Sequence, residues 1–376
     1  MKPSLHLAIV AGEDSGDFHG ANLAEALRKK VPGLKLSGIG GRQMADAGVE
    51  LVFASERLAV VGILEVLSRL PEIWRGRQSF CRHLRETRPD LLVLIDFPDF
   101  NLNLIAPYAR RLGIPIVYYI SPQVWAWRRS RINQINRLVR KILVILPFEE
   151  EFYRQHGVAA EYVGHPLLDE FATFTPRPEQ ERKNSIALIP GSRRGEIRRL
   201  LPLMLTAARL YRRDHPDCRF IIPAAPSISP EFIAGFIPAG LKKEIDIVRE
   251  PLARTLEKVG TALVASGTAT LETALAVVPM IVIYKVNRLS YELGRRLISV
   301  PFISLVNLIA GQEVVPELIQ QETRPEIISM TMRRVFDNPK IRARTIRELA
   351  RIKTRLGEPG GADRAAGAIL EITEGR

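Results

Sequence analysis

The sequence predicts an α/β protein built from two parallel-sheet units, on three observations. Short continuous apolar runs recur, as in Leu5–Val10, Leu91–Ile95, Ile116–Ile120 and Ile142–Leu146. Each run ends in polar or glycine-rich residues and leads into helix-like sequence, so the strands read as buried on both faces, the mark of a parallel sheet covered by helices. The pattern breaks at 164–184, where Gly164-His165-Pro166 and Thr175-Pro176-Arg177-Pro178 read as a linker, and then restarts. A chain of 376 residues accommodates two such domains. Two Rossmann-like domains facing a central cleft follow, with ligands expected at the carboxyl ends of the strands.

In chain order, Leu5–Val10 is the first strand, and Gly12, Gly16 and Gly20 open the stretch after it, with helix from Asn22 to Lys30. Glycines there let backbone approach a ligand. The spacing is neither GxGxxG nor a P-loop. Glu13, Asp14 and Asp17 suit sugar hydroxyls better than phosphate, the alternative being a plain strand-to-helix turn. Leu58–Trp74 (LAVVGILEVLSRLPEIW) reads either as a core helix or as an amphipathic one that meets lipid, with Arg75, Arg77, Arg82 and Arg85 toward anionic headgroups.

Beyond Leu91–Ile95, Asp96 and Asp99 lie three residues apart. One can act as a base on an attacking hydroxyl, or one can cap the following helix. Ser121-Pro122-Gln123-Val124-Trp125-Ala126-Trp127 brings two tryptophans to the next strand end, followed by Arg128, Arg129 and Arg131.

After the linker, strands are predicted at Ser185–Ile189, Arg219–Ile222, Thr261–Ala265 and Met280–Tyr284, and the chain from about Arg324 is helical and arginine-rich. Pro190-Gly191-Ser192-Arg193 joins the first of these strands to a helix ending near Arg213, and its free amides with Arg193 suit a diphosphate. Ser266-Gly267-Thr268 repeats the geometry, with Glu272 placed to hold a sugar or ribose hydroxyl pair or to complement the helix dipole.

Composition narrows the classes. Net charge is +13, with 46% hydrophobic and 25% charged residues, which excludes wholesale disorder and implies an anionic partner. Two cysteines far apart argue against a disulfide scaffold or structural zinc and suit a reducing cytosol. Six scattered histidines form no HxxxH or HExxH, so no metal site and no cofactor are expected. The first residues carry an apolar run of about six and then acids, unlike a secretory signal. No run of about 18 uncharged apolar residues is present, so no transmembrane helix is expected. No basic tail, recognition helix or RNP-like motif supports nucleic-acid binding.

Taken in order, AGEDSGDFHG, AVVGILEVL, IDFPDFN, YISPQVWAWR, LPFEEEFY, VGHPLLD, LIPGSRRGEI, ASGTATLE and FISLVNLIAGQEVVPELIQ resemble the lipid-A-disaccharide synthases, bacterial inverting glycosyltransferases of the GT-B fold. The resemblance covers nearly the whole chain. It implies transfer from UDP-2,3-diacylglucosamine to 2,3-diacylglucosamine 1-phosphate, giving a β-1,6 disaccharide and UDP without a metal. It assigns catalysis to Asp99, with Asp96 and Asp90 as neighbouring acids. UDP contacts fall on Arg193, Glu272 and Asn307, beside Ser192, Ser266, Gly267 and Thr268. Glu13 and Ser15 match the loop near the sugar, and Ser68 the polar residue inside the apolar helix. Residues 1–170 are then the acceptor and membrane-side domain and 171–355 the donor domain. The stretch 356–376, with Gly361–Glu371 helical, crosses back to the first domain. The implied place is the inner face of the bacterial inner membrane, bound through anionic lipid at Leu58–Trp74, and a homodimer is an option. A different UDP-sugar enzyme of the same fold is the alternative, separated by its lack of liposome association.

Overall fold

The computed structural model describes residues 5–58, 63–126, 130–287, 291–292 and 300–374. The chain divides into two compact units, Met1–Pro166 with Glu358–Arg376, and Leu167–Gly357.

The first unit is built on seven parallel strands: β1 His6–Ala11, β2 Lys35–Gly40, β3 Glu50–Ala54, β4 Leu91–Ile95, β5 Ile116–Tyr119, β6 Lys141–Val144 and β7 Ala160–Tyr162. Their order is β3-β2-β1-β4-β5-β6-β7. Every residue of β1, β4 and β5 is buried, so these strands are continuous apolar runs with helices on both faces. One face packs Ala8, Val10, Leu92 and Leu94 with Phe80, Leu84 and Leu102. The other packs Leu7, Ile9 and Val93 with Leu23 and Leu27 of the Asp14–Lys30 helix. Ala365, Ala366, Ile369 and Ile372 of the Gly361–Glu374 helix complete that second face. The last helix of the chain is thus core to the unit that contains its first strand.

The second unit has six parallel strands: β8 Ser185–Ile189, β9 Arg219–Pro223, β10 Ile245–Val248, β11 Thr261–Ala265, β12 Met280–Tyr284 and β13 Glu317–Ile319. The order is β10-β9-β8-β11-β12-β13. The Arg194–Arg212 helix buries Ile197, Leu201, Met204 and Leu205 against Leu188, Phe220 and Leu263.

Both sheets are doubly wound. The chain grows outward from β1 in one direction and then returns to β4 on the other side, and β8 and β11 repeat the move. The order of strands reverses at β1/β4 and at β8/β11, and such switch points are where sheets of this kind bind ligands.

Five strands were not legible as apolar runs. Four of them, β3, β7, β10 and β13, are the sheet edges, short and only partly buried. The fifth, β2, reads KLSGIG and is buried despite its polar and glycine content. Gly38 belongs there because a Cβ would collide with the Ile9 carbonyl oxygen. Ser37 lies between His6 and His83, 2.8 Å from a ring nitrogen of each. The first helix also begins earlier than read, at Asp14, with the glycines inside it: a Cβ at Gly20 would strike Met44.

Candidate active site

In the first unit the switch point lies between β1 and β4. Asp96 and Phe97, directly after β4, both take left-handed backbone, with φ of 42° and 49°. Such a conformation costs about 1–3 kcal/mol per non-glycine residue and needs support from its surroundings. Three groups give it. Tyr118 Oη donates to the Asp96 carbonyl at 2.6 Å, and Asn101 Nδ2 donates to the same oxygen at 2.7 Å. The Phe97 ring fills the space over Gly12, where any Cβ would collide with it. The Phe97 carbonyl accepts from Asn101 N at 3.0 Å. A single π-type turn, Asn101–Ile105, follows, a wide turn common beside functional groups.

This backbone sends two carboxylates into different surroundings. Asp96 is largely desolvated, and burial, reinforced by the nearby charge of Glu13, raises it to about 6. Asp99 is exposed and paired with the Arg131 guanidinium, itself buried but for 10% of its side chain. Glu13 and Ser15 are exposed at the start of the Asp14–Lys30 helix.

Two expectations change. Asp17 does not face a ligand: its buried carboxylate accepts the amides of Gly41, Gln43 and Met44 at 2.6, 3.0 and 3.1 Å and caps the Arg42–Asp46 helix. Asp90 precedes β4 and accepts the His6 amide at 3.0 Å. It stands at the amino end of the strand, about 15–20 Å from Asp96 along an extended backbone. The structure therefore brings Asp96 and Asp99 together with Glu13's loop and leaves Asp90 out. Trp125 is core, its Nε1 donating to buried Glu149 at 2.9 Å. Ser68 belongs to the Ile63–Thr87 helix, but its side chain lies outside the described residues, as do Trp127, Arg128 and Arg129.

In the second unit the switch point lies between β8 and β11 and holds a cavity of about 790 Å³, of the size that takes a small-molecule ligand. Ser192, Arg193, Ser266, Gly267, Thr268 and Glu272 all line it. Arg193 is the N-cap of the Arg194–Arg212 helix and is 76% exposed, 3.8 Å from Glu196. Gly191 makes the turn with φ of 104°. Gly267 caps the Thr268–Leu275 helix, so two helix starts, with amides lacking intrahelical acceptors, belong to the loops that line one cavity. Ser266 Oγ donates to the Ile303 carbonyl at 3.0 Å. Glu272 is raised to about 7, by burial first and then by Glu170.

Glu170, Arg249 and Glu250 also line this cavity and were not foreseen. Arg249 and Glu250 directly follow β10, so the rule that polar residues after a strand mark the site finds them once that edge strand is recognised. Glu170 carries no such signal.

Asn307 does not reach the cavity by its side chain. It is fully buried, and its Nδ2 donates to the Val315 carbonyl and to Glu317, both at 2.8 Å. Its Oδ1 accepts the amides of Val314 and Val315 at 2.8 and 3.1 Å. Both hydrogens and both lone pairs are engaged. Glu317 in turn accepts the Ile303 and Ser304 amides at 2.8 and 3.0 Å, and Ile303 receives Ser266. Asn307 thus organises the loop that anchors Ser266. Among the described residues no three His, Cys, Asp or Glu side chains gather as metal ligands do.

The model of the family described as lipid-A-disaccharide synthetase matches residues 7–358. Lipid-A-disaccharide synthase of Geobacter metallireducens is 43% identical, covering 98% of each chain. That of Syntrophus aciditrophicus is 45% identical, covering 97% of each. Among solved structures, MurG of Acinetobacter baumannii superposes with a TM-score of 0.61 at 14% identity, over 98% of this chain and 100% of that one, which shows the shared GT-B architecture. With its two doubly wound units, its cavity at the second switch point and these matches over nearly the whole length, the chain belongs to the lipid-A-disaccharide synthetase family.

Proposed function

We propose that the chain carries out its family's glycosyl transfer with the following division of labour. The second unit binds UDP-2,3-diacylglucosamine. Ser192, Arg193 and the helix-start amides at Gly267 and Thr268 take the diphosphate, and Glu272 takes the ribose hydroxyls. Asn307 holds the Ser266 loop in place. The first unit binds 2,3-diacylglucosamine 1-phosphate near Glu13 and Ser15. Asp99, positioned by Arg131, removes the proton from the acceptor's 6-hydroxyl as that oxygen attacks the donor's anomeric carbon from the face opposite UDP. The bond to UDP breaks, and Arg193 with the helix amides stabilises the departing charge. The product is the β-1,6 disaccharide 1-phosphate.

The observation that supports this most is the meeting of two separately predicted turns, Ser192-Arg193 and Ser266-Gly267-Thr268 with Glu272, at one 790 Å³ cavity at the switch point. Incubation of the protein with both lipid substrates, followed by mass analysis, should yield the disaccharide and UDP in equal amounts. Intact protein with no disaccharide would overturn the reading.

The Ile63–Thr87 helix supports contact with an anionic membrane surface at the inner face of the inner membrane. Leu70 and Trp74 are 40% and 51% exposed, and the Arg77 guanidinium lies 5.1 Å from the Trp74 ring centre. Apolar and aromatic groups exposed beside arginine are the composition of an interfacial helix. Among the described residues no helix is long and apolar enough to cross a membrane.

A further inference from the structure

The stretch from Asp96 to Asn101 carries separate costs side by side. Asp96 and Phe97 both take left-handed backbone, which residues other than glycine rarely adopt. Asn101 is fully buried, and its Oδ1 has no hydrogen-bond partner among the described residues. Buried acceptors are nearly always satisfied, so this orphan needs a reason. The other end of the same amide supplies it. Asn101 Nδ2 donates to the Asp96 carbonyl at 2.7 Å and to the Ile95 carbonyl at 3.3 Å.

The Asp96 carbonyl receives a second side chain from another element. Tyr118 belongs to β5, where it pairs with Leu94 of β4. Its ring is fully buried, and its hydroxyl reaches the first residue beyond the neighbouring strand, donating at 2.6 Å. Burial first, and then the Asp96 charge, push that hydroxyl well above its ordinary value, so it stays a donor near neutral pH. The Asp96 amide in turn donates to the Ile120 carbonyl at 3.3 Å, and Ile120 is itself left-handed, with φ of 58°. One peptide unit is thus held by side chains and backbone of three segments.

What this hold controls lies three residues on. Phe97 stacks on Phe100 at 5.3 Å between ring centres, and the Pro98 ring fixes its own φ, so the path from Asp96 to Asp99 has little freedom. A rotation at Asp96 or Phe97 is carried directly to Asp99. The far side of the loop is held independently. Arg131 pairs with Asp99, and Gln134 Nε2 donates to the Leu102 carbonyl at 2.8 Å and to Asn103 Oδ1 at 3.1 Å. Strained backbone of this kind clusters at active sites, where the surroundings over-determine it.

We propose that Tyr118 is a positioning residue for the transfer: with Asn101 it holds Asp96-Phe97 in the left-handed conformation and so sets the Asp99 carboxylate against the acceptor's 6-hydroxyl. The proposal rests on the reading of Asp99 as the base. A base misplaced by about 1 Å costs up to about 100-fold in rate.

The test uses the full-length protein with UDP-2,3-diacylglucosamine and 2,3-diacylglucosamine 1-phosphate, the disaccharide being measured by mass analysis over incubations long enough for slow variants. Tyr118→Phe keeps the ring and removes only the hydroxyl. Its kcat should fall by about tenfold or more, with KM for both substrates within about twofold of wild type. In the Asp99→Asn background the same substitution should change turnover by less than about twofold, because no base is left to misplace. Wild-type kcat in Tyr118→Phe, or the same loss in both backgrounds, overturns the proposal. A purely structural role would give that equal loss. Should Tyr118→Phe fail a thermal-unfolding check, Asn101→Ala takes its place with the same criteria. Near-normal turnover in Asp99→Asn alone would instead overturn the reading of Asp99 as base, and the inference falls with it; an inactive Asp99→Asn beside a fully active Tyr118→Phe overturns the inference and leaves that reading standing.

Discussion

Asp96 and Asp99 are three residues apart and play different physical parts. Asp99 is exposed, and Arg131 fixes it in position. Asp99→Asn should fold normally, bind UDP with unchanged affinity and lose at least about 100-fold in turnover, the usual scale for a base; near-normal turnover would remove it from that role. Asp96 is a cost to the fold. Burial raises it from the ordinary 3.8 to about 6, so the ionised form is disfavoured in the native state. Stability is therefore lost as pH rises from about 4 to about 6. Asp96→Asn should stabilise the first unit at pH 7.5 by on the order of 2 kcal/mol, an advantage that vanishes below pH 4. Urea denaturation at the two pH values checks this, and equal midpoints for mutant and wild type at pH 7.5 would contradict it. Neither environment was legible in the sequence, because burial and the approach of Glu13 arise only when the β1 and β4 loops diverge from adjacent strands.

At the scale of elements, the strands with continuous apolar runs were legible to within a residue or two, and the edges were not. An edge strand is exposed on one side, so β3, β7, β10 and β13 lack the pattern that burial on both faces imposes. The consequence reached the site, since Arg249 and Glu250 went unseen with β10. The loop around Asn307 offers a second lesson. SLVNL looks like a binding motif, yet its asparagine is wholly engaged in closing its own loop. Asn307→Ala should leave Val314 and Val315 amides without a partner and lower the stability of the second unit by about 1–3 kcal/mol. UDP affinity should weaken only through the loosened Ser266 loop, and a change in affinity without a change in stability would restore a direct contact. The Ile63–Thr87 helix bears the membrane prediction. Leu70→Ser combined with Trp74→Ser should reduce partitioning onto vesicles containing anionic lipid by about tenfold or more, with the fold unchanged by circular dichroism. Wild-type binding should fall with added salt, and insensitivity to both changes would argue against this surface.

For the whole molecule, the chain ends where it begins. The Gly361–Glu374 helix contributes Ala365, Ala366, Ile369 and Ile372 to the same core face as Leu7 and Ile9. Deleting 358–376 should destabilise the first unit by on the order of 5 kcal/mol, the burial of two isoleucines and several smaller groups, while leaving the second unit folded. Limited proteolysis that cleaves both units equally would refute this. The net charge of +13 first suggested any anion; the family membership directs it to a UDP-sugar and a phosphorylated lipid acceptor. The sequence by itself determined the α/β class, the two sets of strand–helix units, and the turns at Gly12, Asp96, Gly191 and Ser266 that carry the candidate site residues. It could do so because burial on both faces and backbone geometry at strand ends leave their mark on neighbouring residues. Only the tertiary structure decided which polar residues at those turns remain available. Asp17, Asp90 and Asn307 are committed to amides of other segments, and Glu170 lines the same cavity as Glu272, relations that join residues up to about a hundred positions apart and are invisible in local pattern.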